Sequence, residues 1–187
     1  NLLKFIPTER FVQRIHDDPT WVMRIADPTA GSNTFLIKAH EHLEQAAKRM
    51  GLPTPPHRQL AFFAQELKNT QVGLGVFNMF YHGLAPRLNP TEEEIYVGRR
   101  PEEGGIVART TGNTITEYVD KIGKQADKID LALANPPYGT ADYGLAHALS
   151  ARGHVNDGRW ISGVPTRSEG EWPFVQTIVN LLSPTGM

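Results

Sequence analysis

The sequence predicts an α/β domain built on a doubly wound, mostly parallel sheet. Three observations predict it. Short apolar runs alternate with segments of helical periodicity in the order strand, helix, strand, helix, strand, the grammar of a parallel sheet with crossover helices. The most distinctive polar segments, residues 27–33, 65–66 and 135–138, each follow an apolar run, and ligands of such sheets bind beyond the carboxyl ends of the strands. The chain has 187 residues, 40% hydrophobic and 21% charged, enough to bury one core.

Each element has its own signal. Phe11, Val12 and Ile15 place a short helix over residues 9–15. The apolar run 22–26 ends at Asp27-Pro28 and reads as a buried strand followed by a loop. Phe35, Leu36, Ala39, Leu43, Ala46 and Ala47 mark an amphipathic helix over residues 34–50, stopped by Gly51 and Pro53. Residues 60–64 form a second strand ending at Gln65-Glu66, and residues 70–81 a helix closed by Gly83. Residues 86–105, rich in Pro, Glu, Arg and Gly, read as an excursion or hairpin outside the core. A third strand is expected at 106–108, a helix at 115–122 and a strand at 129–134. Residues 139–170 read as a long loop region. The last helix, 172–182, carries Phe174, Val175, Ile178, Leu181 and Leu182 on one expected face.

Composition narrows the function. No apolar run is long enough to span a bilayer and no signal-peptide pattern opens the chain, so no membrane partner is expected. The absence of cysteine excludes disulfides and thiolate metal sites, which suits the cytoplasm. A net charge of −1 is unlike a free-standing nucleic-acid binder, which is usually strongly basic. A chain of this charge acting on DNA would draw its phosphate contacts from a local basic surface or a partner. His40-Glu41-His42 lacks the spacing that sets two ligands on one helix face and reads as solvated helix surface. His16, His57, His82, His147 and His154 form no ligand set, so no metal site is expected.

Three segments carry chemistry. In Asp27-Pro28-Thr29-Ala30-Gly31-Ser32-Asn33-Thr34-Phe35-Leu36 a strand ends, a small-residue loop turns and a helix starts. Gly31 permits close approach of a ligand, and Ser32 or Asn33 can cap the helix; a plain capped turn reads equally well. Glu66 stands where dinucleotide folds hold ribose hydroxyls, although a solvated Glu is common at a strand end.

Asn135-Pro136-Pro137-Tyr138 is the strongest signal. Two prolines directly after an apolar strand end the ladder and stiffen the backbone. The Asn135 side-chain carbonyl and the Pro136 carbonyl can accept both N–H bonds of a planar amine. That draws the nitrogen towards tetrahedral geometry and frees its lone pair for in-line attack on a methyl sulfonium. Tyr138 can stack on a base taken out of the double helix.

Together these residues resemble a family. The 27–36 stretch is similar to the cofactor loop of amino-methyltransferases, usually Asp-Pro-x-x-Gly-Ser-Gly-x-Phe-Leu. Gln65-Glu66, with Asn78 and Gly83 after it, resembles a pattern of type I modification subunits, and Asn135 to Tyr138 matches the catalytic Asn-Pro-Pro-Tyr/Phe. Asp157-Gly158-Arg159-Trp160, Gly163-Val164-Pro165 and the 172–176 stretch are similar to the segment downstream of that loop in the same subunits. The chain thus resembles a DNA adenine-N6 methyltransferase, the modification subunit of type I restriction-modification systems.

The resemblance implies a Rossmann-like methyltransferase fold dependent on S-adenosylmethionine. It implies one partial domain over residues 1–187, truncated at both ends, with an insertion around 86–105. It assigns Asp27 and Gly31 to the methionine part of the cofactor, Glu66 to its ribose and Asn113 to its adenine, with Pro28 and Ser32 also cofactor-binding. Asn135, Pro136, Pro137 and Tyr138 would form the catalytic segment, with Asn135, Pro136 and Tyr138 holding the target adenine. Pro7 and Thr8 stand, in exchanged order, where the family has a Thr-Pro pair near the cofactor carboxylate. Asn33 replaces the second loop glycine, and Asn is the other residue that best tolerates positive φ. DNA, a specificity subunit and a restriction subunit are the implied partners. Arg152, Arg159 and Arg167 either meet DNA phosphates or are solvated. Two other readings fit the sequence, a protein glutamine N-methyltransferase and a degenerate, non-catalytic cofactor- or DNA-binding module.

Overall fold

The computed structural model describes residues 5–84, 87–88, 105–110, 114–115, 129–137, 160–165 and 171–187. The chain runs α1 (Thr8–Asp17), β1 (Met23–Asp27), α2 (Thr34–Met50), a 3-10 turn (His57–Gln59) and β2 (Leu60–Glu66). It continues through α3 (Asn69–Tyr81), β3 (Arg87–Leu88), β4 (Gly105–Thr110), β5 (Leu131–Ala132) and α4 (Trp172–Leu181). Among the described residues the five strands lie in the order β3-β4-β2-β1-β5, and each of their pairings is parallel. From β1 the chain steps outward through β2 and then returns to the other edge of β1 with β5. Such a reversal opens a crevice at the carboxyl ends of the strands.

Both faces of the sheet are covered at β1 and β2. On one face Met23, Ile25, Leu60, Phe62 and Ala64 pack with Phe11, Val12 and Ile15 of α1, Leu36 and Leu43 of α2 and Met79 of α3. On the other, Ala26, Ala61 and Phe63 pack with Ile129 and with Leu181 of α4. A strand covered on both sides is apolar throughout, as the six consecutive buried residues of β2 show. Gln59, itself buried, donates through Nε2 to the carbonyls of Ile15, Asp18 and Trp21 at 2.9–3.1 Å, fastening the α1–β1 connection to the start of β2. Gly51 at φ +68° ends α2, and Leu52 N–H donates to the Ala47 carbonyl at 2.9 Å, a left-handed helix stop.

Several expectations are corrected. Of the excursion or hairpin expected over 86–105, Arg87 and Leu88 pair parallel with Val107 and Ala108 of β4, and residues 89–104 lie outside the described residues. The strand expected over 129–134 is confined to Leu131–Ala132, because Asp130 takes the Arg24 N–H at 2.8 Å through its carboxylate and Ile129 bridges to Leu182 instead. On α4, Val175 is exposed while Gln176 and Thr177 are buried. Gln176 is satisfied by backbone: Oε1 accepts Ser162 N–H at 2.9 Å and Nε2 donates to the Gly163 carbonyl at 3.0 Å. His40 is buried, not solvated, and packs edge-on against His57 and Phe62. Burial holds its pKa below the usual imidazole value, against the opposing pull of Glu44. The helix expected over 115–122 lies outside the described residues beyond Ile115, as do most of 139–170 and Arg152, Arg159 and Arg167.

Candidate functional site

At the carboxyl ends of β1 and β2 lies a cavity of about 790 Å3, within the usual range for small-molecule sites. Its lining includes Asp27, Pro28, Gly31, Ser32, Glu66, Asn135 and Pro137, residues drawn from three distant stretches of the sequence. Parallel register causes this. Asp27 pairs with Ala64, while Ile25 and Ala26 pair with Leu131 and Ala132, so all three strands end at one level. Of the other expected site residues, Pro136 is half-buried between two lining residues. Pro7 and Thr8 stand at the start of α1 and are not among the lining residues. Asn113 and Tyr138 lie outside the described residues.

The loop from β1 to α2 is fastened at many points. Ala30 N–H donates to the Gln65 carbonyl at 2.9 Å and Gly31 N–H to Glu66 Oε2 at 3.0 Å. Glu66 Oε1 accepts Lys68 N–H at 2.9 Å. Asn78 of α3 donates through Nδ2 to the Ser32 carbonyl at 2.9 Å. Gly31 has φ +50°, and the space where a Cβ would project is open. Among the described residues Asn33, at +60°, is the non-glycine residue with positive φ, the conformation expected from its place in the loop. It makes no side-chain cap on α2. Instead its buried Nδ2 contacts Met79 Sδ at 3.1 Å, and Ser32 Oγ pairs with Thr34 Oγ1 at 2.8 Å. The capping role expected of Asn33 is therefore not observed. The first turn of α2 has no acidic residue, and its Thr34 and Phe35 line the cavity.

Asp27 is the most perturbed acid of the site. It is 1% exposed, and burial pushes its pKa up from 3.8 to about 7. Two donors from Thr29 oppose that shift and the nearby Glu66 charge adds to it. Thr29 N–H and Oγ1–H reach Asp27 Oδ1 at 3.0 and 3.3 Å. The same Oγ1 accepts Asn135 N–H at 3.2 Å. Thr114, contributed from beyond β4, donates its hydroxyl to the Pro28 carbonyl.

Reading the sequence alone missed Thr29, Lys68, Gln71, Thr114 and Phe174 as lining residues. Lys68 had a signal, its place two residues after Glu66 at the same strand end. Phe174 lies in the 172–176 stretch that resembles the family, but nothing in that stretch says that α4 carries it to the cavity. Among the described residues, no group of three His, Asp or Glu side chains is placed to hold a metal ion.

The fold and cavity define a class, a doubly wound α/β protein whose acidic, glycine-containing crevice at the switch point suits a nucleoside-bearing cofactor. The chain belongs to the N-6 DNA methylase family, whose sequence model matches residues 7–187. It is similar in structure to the type I restriction-modification methyltransferase subunit from Streptococcus thermophilus, with 18% identity and a TM-score of 0.59, over 96% of this chain and 31% of that one. It is also similar to the type I restriction enzyme EcoKI M protein, with 21% identity and a TM-score of 0.51, over 97% of this chain and 32% of that one. The chain spans about a third of the length of both. These likenesses bear out the doubly wound methyltransferase fold, and the family match agrees with the resemblance read from the motifs.

Proposed function

We propose that this chain binds S-adenosylmethionine and a target adenine, for methyl transfer to adenine N6 in DNA within a type I restriction-modification enzyme. The observation that carries this reading is the shared cavity. The 27–32 loop, Glu66 and the Asn135-Pro136-Pro137 segment reach one crevice from three strand ends.

The residues present fit the cofactor. Asp27 is a buried carboxylate that accepts two hydrogen bonds from Thr29, both from neutral donors, so a ligand ammonium supplies a compensating charge. Open space at Gly31 admits a ligand against the backbone. Glu66 already accepts two amides, and each carboxylate oxygen keeps a second lone pair for a ribose hydroxyl. The bound cofactor supplies an electrophilic methyl group on a sulfonium centre.

The chain's own role is to hold the amine. Asn135 is exposed at the cavity edge, reachable by a base swung out of the duplex. Its side-chain carbonyl and the Pro136 carbonyl accept the two N–H bonds of the adenine amino group, and Tyr138 stacks on the ring. The neutral amine would attack the methyl carbon as the methyl–sulfur bond breaks to leave a thioether, and the proton on the methylated nitrogen would pass to solvent afterwards, so no base is required before transfer. Asn113 would contact the cofactor's adenine, and Pro7 and Thr8 its carboxylate.

With a net charge of −1, the chain takes much of its DNA contact through a specificity subunit, with a restriction subunit completing the complex. Among the described residues no helix is long and apolar enough to cross a membrane, and we place the reaction in the cytoplasm.

Labelled methyl transfer from S-adenosylmethionine to unmethylated DNA, with the specificity subunit present, tests the reading. Label on adenine N6 that falls at least a hundredfold (about 2.7 kcal/mol of barrier) in Asn135→Ala, with cofactor binding retained, is the expected result. Cofactor binding without any transfer by the intact complex overturns it.

A further inference from the structure

Thr29 joins the two halves of the crevice. We infer that its hydroxyl is a positioning device that couples the cofactor-side carboxylate, Asp27, to the backbone of the adenine-holding loop at Asn135. The inference rests on the methyltransferase reading for its functional meaning, but the bridge itself can be tested without it.

The geometry starts from the end of the sheet. Leu133 N–H donates to the Ala26 carbonyl at 2.8 Å. In a parallel ladder the next rung falls two residues further along each strand, which would join Asn135 N–H to the Pro28 carbonyl. That carbonyl instead accepts the Thr114 hydroxyl, and Asn135 N–H goes to Thr29 Oγ1 at 3.2 Å. The two strands therefore separate a rung early, where the cavity opens.

The residues after Asn135 are Pro136 and Pro137, and neither has an N–H. The Asn135 amide is thus the last backbone donor before this proline pair, and a side chain in the cofactor loop receives it. The Thr29 hydroxyl has one proton and two lone pairs. Its proton points to Asp27 Oδ1 at 3.3 Å while a lone pair receives Asn135 N–H. Donating and accepting together, the hydroxyl polarises in one sense along the chain Asn135 to Thr29 to Asp27. A charge gained by Asp27 strengthens both bonds, and a ligand cation held by Asp27 redistributes them. Asp27 stands on β1 and Asn135 follows β5 across the switch point, so no contact within one element performs this coupling.

Thr29→Val keeps the shape and removes the hydroxyl, whereas Thr29→Ser keeps the hydroxyl. In the ligand-free chain two readouts apply. The carboxyl carbon resonance of Asp27 is followed against pH, and amide exchange is timed at Asn135. The expected result for Thr29→Val is an upward shift of the Asp27 midpoint, since a donor that lowers it is lost, with exchange at Asn135 at least tenfold faster. Thr29→Ser returns both towards the wild type. Unchanged titration and exchange in Thr29→Val, or equal damage in Thr29→Ser, overturns the bridge.

Methyl transfer supplies the second arm. Thr29→Val is expected to lower kcat at least tenfold with less than a threefold change in KM for DNA, and Thr29→Ser to recover it. If the ligand-free readouts respond but the wild-type complex transfers no methyl group, the bridge stands and the methyltransferase reading falls. If the wild type is active and neither readout nor kcat responds to Thr29→Val, the bridge alone falls.

Discussion

Asp27 shows how a single side chain acquires chemistry from burial. Its carboxyl is exposed to only 1% and titrates near 7 instead of 3.8, because the charged form gives up hydration that two Thr29 donors only partly replace. Linkage fixes the sign of the pH dependence. The folded state holds the proton more tightly than the unfolded chain, so this stabilising contribution is complete below about pH 4. It declines as pH rises and is gone once pH passes about 7. Asp27→Asn removes that dependence. Its melting temperature is expected to exceed that of the wild type at pH 8, with the difference shrinking towards pH 5, as measured by thermal unfolding across that range. The same substitution is expected to weaken S-adenosylmethionine binding at pH 8 by about tenfold or more, because an ionised Asp27 facing a ligand ammonium is lost. A variant more stable at pH 8 but poorer in binding identifies a group kept for function at a cost in stability.

At the scale of elements, α3 is the clamp on the loop between β1 and α2. Asn78 holds the Ser32 carbonyl, Met79 receives the Asn33 amide, and Gly75 provides the clearance. A Cβ at Gly75 would lie 2.8 Å from Asn33 Nδ2 and 3.0 Å from the Gly31 carbonyl oxygen. The bulkier residue in the loop is thus matched by a residue without a side chain on the helix. Ala is a better helix former than Gly by about 1 kcal/mol, but overpacking a buried contact costs about 1–3 kcal/mol, and here a backbone oxygen is one of the obstructing atoms. Gly75→Ala is expected to lower stability by about 1–2 kcal/mol in urea unfolding. Adding Asn33→Gly should restore some of the loss by removing the closer contact. Equal stability of Gly75→Ala and the wild type would show that the loop gives way freely.

For the whole molecule, the decisive fact is a parallel sheet with its centre at β2, covered on both faces at β1 and β2. Phe62 is wholly buried beneath α2, whereas Phe77 and Phe80 on the outer side of α3 are 66% and 69% exposed. Similar side chains therefore carry different energetic weight. Phe62→Ala is expected to cost about 3–5 kcal/mol. The pair Phe77→Ser and Phe80→Ser should change stability by no more than about 1 kcal/mol and improve solubility by removing exposed apolar surface. Urea midpoints and soluble yield measure both. A large loss from the outer pair would mean that α3 is held by contacts on that side.

Much of this was legible in the sequence, because local patterns report local structure. The amphipathic spacing of 34–50 sets α2 to the residue, and apolar runs before Asp27 and Gln65 locate β1 and β2 within a residue or two. Asn33 in a glycine's place announced the left-handed backbone now seen at φ +60°. The order of motifs along the chain pointed to the family that the match over residues 7–187 shows. Other properties arose only in three dimensions. The burial that shifts Asp27, the place of His40 beside Phe62, the satisfied Gln176 and the Thr29 hydroxyl between Asp27 and Asn135 have no periodic signature. Each depends on which strands are neighbours and in what register. A side chain's hydrogen-bond partner can lie 106 residues away. Sequence patterns encode which face of an element is apolar, whereas the groups that meet at a strand end are decided only when the sheet assembles.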